Sequence, residues 1–171
     1  MFYIRKLSKL STISKIDHAK RIEDIPSDVL KQELPTTNNS LSFWKCDSLD
    51  NSKDTIKAIL LSAPRIERTQ FVIFDDAMLK DCDFRLDSSQ QGDTGYLGFG
   101  HLHVDFCDLT YSRIGQILSL IKQVINNKDM IPELSRNQVK EYIREVCASN
   151  LLDEQKVNES LLSDIKKCNL M

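Results

Sequence analysis

QFVIFD, residues 70–75, is a continuous β-branched and aromatic run, the pattern of a strand buried on both faces. What lies upstream decides how it pairs. Asn51-Ser52 can cap a helix in which Ile56, Ile59, Leu60 and Ala63 share one face, and Pro64 ends it. Before that helix, SLSFWKC (40–46) carries apolar side chains on both faces, as a strand inside a sheet would. Strand, helix, strand in this order predicts a right-handed βαβ crossover with its two strands paired in parallel.

The flanks extend the pattern. Residues 2–8 read as an opening strand in which Phe2 and Ile4 alternate with Tyr3 and Arg5, and Pro26-Ser27-Asp28 starts a helix that Pro35 stops. A short helical segment at 76–81 and strands at 84–88 and 101–106 follow. The remainder is helical: 111–126, then 135–148 capped by Ser135, then about 153–168. The expected class is α/β (mixed α+β), a single domain whose mixed sheet contains a βαβ unit and is followed by a C-terminal all-helical segment. Residues 1–130 form the sheet part, and 131–171 form a helical hairpin that packs on it or docks a partner.

A chain of 171 residues is long enough for one core that buries about 70% of its unfolded surface. Its 23 basic and 25 acidic residues are interspersed, so the basic footprint of a nucleic-acid binder is missing and no direct nucleic-acid binding is expected. A local excess sits at Arg5, Lys6, Lys9 and Lys15, loosely like a transit peptide, but the alternation at 2–5 favours a strand. Five cysteines at 46, 82, 107, 147 and 168, with no CxxC pair, read as free thiols in a reducing compartment. With no secretory leader and no apolar run near the roughly 18 residues of a span, a cytoplasmic location without membrane contact is expected.

Two stretches could carry chemistry. Gly92, Gly95, Gly98 and Gly100 are four of the five glycines, packed into nine residues. They run into HLHVDF rather than a helix N-terminus, and no lysine follows, so a wide turn is a better reading than a phosphate cradle or a nucleotide-sensing loop. In HLHVDF itself, strand alternation would put His101, His103 and Asp105 on one face, a set able to hold a divalent metal. HLHVD distantly resembles the HxHxDH element of metallo-β-lactamase-like hydrolases, although Phe106 stands where a histidine would be. It also resembles the HxH of JAB/MPN-type metalloproteases, although Val104 replaces their proline. Each resemblance spans about five residues and implies no catalytic residue here. On a bland reading the polar face of this strand simply meets solvent.

Asp75-Asp76, at the end of the buried strand, could join a Mg²⁺ site, but capping of the following helix is the favoured role. His18 reads as a solvated surface residue, and Trp44 and Cys107 as core. In the tail, Leu152, Val157, Leu161, Leu162 and Ile165 form an apolar stripe that either covers the sheet or docks a protein. Together these features favour a small accessory subunit or immunity-type component that works by protein–protein interaction, with a protein partner or a second copy of itself, no cofactor and no assigned catalytic residue. The alternative is a metal-dependent hydrolase, of phosphodiesterase or nuclease type, using the His101/His103/Asp105 face.

Overall fold

The computed structural model describes residues 1–7, 10–82 and 84–171, with the backbone alone at 10–12. Residue 8 of the expected opening strand and Lys9 of the basic run lie outside the described residues. Six strands, β1 (Phe2–Leu7), β2 (Leu41–Cys46), β3 (Thr69–Asp75), β4 (Arg85–Asp87), β5 (His103–Cys107) and β6 (Glu133–Leu134), form one sheet in the order β4-β5-β2-β1-β3-β6. The α-helices are α1 (Leu10–His18), α2 (Ser27–Glu33), α3 (Ser52–Ser62), α4 (Asp76–Leu79), α5 (Tyr111–Val124), α6 (Arg136–Ala148) and α7 (Glu159–Lys167). The mixed α/β class stands.

The pairing departs from the expectation. β2 and β3 do run in the same direction with α3 between them, but β1 is inserted between the two strands and pairs antiparallel with both: Ile4 faces Trp44 on one side and Ile73 on the other. Every ladder is therefore antiparallel, and the crossover spans one strand. The local pattern of a strand specifies its burial; its neighbours are chosen by the rest of the chain.

Register assigns the faces. Residues opposite one another share a face, so Ile4, Lys6, Trp44 and His103 point one way while Tyr3, Arg5, Phe43, Val104 and Phe106 point the other. On the second face Phe43 stacks on Phe106 with centroids 4.2 Å apart, and Phe74, Tyr3 and Phe84 extend the cluster. Arg5 runs along this face to donate Nε and Nη2 to the Glu33 carbonyl at the end of α2, each at 3.2 Å, and Nη1 to the Ser42 carbonyl. Burial pushes its guanidinium down to about 10, and Glu33 partly offsets that. Helices α1, α2 and α5 pack together on this side, with Ile117 and Ile121 of α5 fully buried.

The opposite face is covered by α3, and α6 packs on α3 in turn. Ser135 caps α6 with a reciprocal Gln138 contact, as its S-x-x-Q spacing allows. Between α3 and α6, Glu145 takes both Lys53 (2.8 Å) and Lys57 (3.0 Å), and Lys57 also reaches Asp54. The stretch just before α6 joins the sheet: β6 pairs with β3, and the Pro132 and Met130 carbonyls accept from Phe71 and Ile73. α7 begins at Glu159, later than the expected 153, because Asn158 caps it and residues 151–153 are drawn into pairing with the glycine loop.

Candidate functional site

The histidine row does not form as the alternation predicts. Residues Gly100–Leu102 are a 3₁₀ turn, and β5 begins only at His103. His101 therefore leaves the strand face, and its Nδ1 lies 2.8 Å from the Gly98 carbonyl. His103 and Asp105 remain neighbours, with Nε2 and Oδ1 3.7 Å apart. Asp105 also accepts from the Ser42 hydroxyl at 2.9 Å. The His103 ring meets Trp44 edge-on at 5.4 Å, and its Nδ1 is buried without a hydrogen-bond partner among the described residues. A serine that donates to the carboxylate rather than to the imidazole is not arranged as a nucleophile and base. Among the described residues, no group of three His, Cys, Asp or Glu side chains is placed to hold an ion.

Asp75 and Asp76 do not approach this face. Asp75 accepts from the Met78 amide and caps α4, as its position before the helix suggests, while Asp76 accepts from the Tyr3 hydroxyl at 3.2 Å. β3 and β5 are separated by β1 and β2, which places the acidic pair roughly 14 Å from the histidine strand at ordinary strand spacing. Burial pushes the thiols of Cys46, Cys82, Cys107 and Cys147 up, away from the thiolate a nucleophile needs.

Each clustered glycine has a steric or conformational reason. A Cβ at Gly92 would lie 2.5 Å from the Trp44 ring, one at Gly95 2.2 Å from Val157 Cγ2, and one at Gly100 2.9 Å from the Gly92 carbonyl, while Gly98 has φ +84°. The turn joins β4 to β5 and is closed by the Gly92 amide donating to Gly100 at 2.8 Å. It grips α3 through Thr94 Oγ1 to the Ala58 carbonyl (2.7 Å), and the tail through Leu97 to Leu151 and Asp153 to Gly95 (2.9 and 2.8 Å). The loop is a clasp between helix and tail.

The stripe assigned to a partner is taken up in that clasp and the core beneath it. Val157, Leu161 and Ile165 are buried within the chain, and Leu152 and Leu162 pack half-buried against the same cluster. These side chains are thus occupied by the chain's own core and offer little surface for docking.

The open apolar surface lies on the other side of the sheet, between α2, the 3₁₀ turn Ile22–Asp24 and the first half of α5. Two hollows of 350 and 500 Å³ adjoin there and share Leu30, Tyr111 and Ile114 as their common wall. Tyr111 is 85% exposed at the first position of α5, and the space above Gly115 is clear within 4 Å of a built Cβ. Sequence reading missed this groove because it joins residues more than 70 positions apart. A larger cleft of 610 Å³ beside the end of α3 is lined by Lys6, paired with Glu67 at 2.9 Å, by Ser42, bonded to Asp105, by Arg5, bonded to backbone, and by the exposed Arg65. Compared with protein-family models, curated proteins and solved structures, the chain matches none.

Proposed function

We propose that this chain is a small protein-binding component, an accessory subunit acting by docking rather than by catalysis, and that it docks through the α2–α5 face. The observation that carries the reading is Tyr111, a large aromatic side chain 85% exposed on the wall between two apolar hollows. Leaving such a ring in water forgoes the burial of roughly 150–250 Å² of surface, and tyrosine, with tryptophan and arginine, is among the residue types enriched where interfaces gain most of their energy. The scaffold supports this use: the sheet is covered on both faces, the tail is fixed by the glycine clasp, and the groove walls are helices held by the core. All five cysteines are free, in keeping with assembly in a reducing compartment.

The test is the dependence of assembly on this face. The full chain is isolated natively with whatever it binds, alongside a Tyr111→Ser variant and a tail-surface control, Lys166→Ala. The expected result is an assembly lost in Tyr111→Ser and kept in Lys166→Ala. An assembly indifferent to Tyr111→Ser, or one broken by the tail variant, overturns the reading.

A further inference from the structure

Resting on that docking reading, we infer that the occupant of the α2–α5 face is a second copy of this chain, packed about a two-fold axis so that Tyr111 of each protomer enters a hollow of the other. A symmetric pair uses one patch twice, so that patch must carry both a shape and its complement. Here the projecting ring and the hollows are adjacent, Tyr111 itself forming part of the wall of each. α5 also permits close approach: Ser112, Gly115 and Ser119 follow one another at i, i+3 and i+7, and Gly115 leaves open space above the helix.

Charge supports the same arrangement. Glu23 borders one hollow and Lys31 the other, and both are exposed; Glu23 also acts at close range on the Arg21 guanidinium, whose first partner is Asp24. A two-fold axis that lies in the interface along the shared wall sets each hollow opposite the other kind. Glu23 then meets Lys31 of the partner subunit, and the pairing occurs twice. A net charge of −2 per chain adds little repulsion to such a pair. A foreign apolar segment could fill one hollow, but nothing in its binding would call for opposite charges at the two ends of the groove.

Sedimentation equilibrium of the full chain decides the matter. Wild type is expected at twice the 19.7 kDa chain mass at micromolar concentration. Tyr111→Ser, which alters only an exposed side chain, is expected to weaken the dimer by about a hundredfold, as loss of a central aromatic anchor does. Glu23→Lys and Lys31→Glu should each weaken it by about tenfold, and the double variant should restore it. Thermal melts of the dissociated forms confirm that each variant is folded. A wild type that stays at 19.7 kDa, a dimer insensitive to Tyr111→Ser, or a double variant no better than the singles overturns the two-fold arrangement. If wild type is a monomer yet a different partner is lost with Tyr111→Ser, the second-copy inference fails and the docking reading stands; if that partner is also indifferent to Tyr111→Ser, both fail.

Discussion

A methyl group added at Gly95 would sit 2.2 Å from Val157 Cγ2, inside the tail's buried cluster, while the Gly95 amide faces the Leu61 carbonyl and its own carbonyl accepts from Asp153. The Gly95 backbone cannot retreat without breaking these hydrogen bonds of the clasp. Gly95→Ala is therefore expected to destabilise the protein by about 1–3 kcal/mol, the range for overpacking a filled core. Because the clash is with one methyl, Val157→Ala in the same chain should recover part of the loss, so that the double variant is more stable than the sum of the singles. Urea titration of the four proteins measures the coupling, and strict additivity would show that Val157 is not the obstacle. The same reasoning explains why a dense glycine cluster need not signal a phosphate: Gly92 yields to the Trp44 ring and Gly100 to the Gly92 carbonyl, tertiary neighbours that no local pattern reveals.

At the scale of elements, α3 and α6 are joined by Glu145 between Lys53 and Lys57. Hydrogen bonds from Lys53 and then Lys57 hold the Glu145 carboxyl below the usual glutamate range, outweighing the opposing effect of burial. A depressed folded value means the stabilisation is complete above about pH 4.3, the unfolded value, and disappears as pH falls through the lower folded value. With Glu145 38% exposed, solvent screening limits the network to about 0.5–1 kcal/mol. Thermal melts from pH 7 to acid should show a smaller acid-induced fall for Glu145→Gln than for wild type, with the two curves approaching each other at low pH; parallel curves would remove Glu145 from the acid limb. The elements themselves were largely legible. α3, α5 and α6 follow from their helical period and β2 and β3 from apolar runs, since burial leaves its mark on neighbours in sequence. β1's place between β2 and β3 was not legible, because pairing is decided across more than 30 residues of separation. The histidine row failed for a local reason: the 3₁₀ turn at Gly100–Leu102 removes His101 before the strand alternation starts.

For the whole molecule, the consequence is that the last 40 residues cannot be detached without loss of the fold. β6 extends the sheet at β3, the Leu151 carbonyl and Asp153 amide close the glycine loop, and Val157, Leu161, Ile165 and Leu170 lie in the continuous core. Burying an aliphatic side chain of this size contributes roughly 1.5–3 kcal/mol, so these four represent about 6–12 kcal/mol of gross stabilisation. A domain's net stability is only about 5–15 kcal/mol, and removing the tail also bares the surface it covers on the glycine loop. Deletion of 150–171 is thus expected to abolish the cooperative thermal transition and yield an aggregating chain, whereas removal of Met171 alone, which is 56% exposed, should leave the melting temperature unchanged. Circular dichroism melts of the two truncations separate the roles. A folded, cooperative 1–149 chain that has lost only its binding would make the tail a docking arm after all, and would shift the interface away from Tyr111.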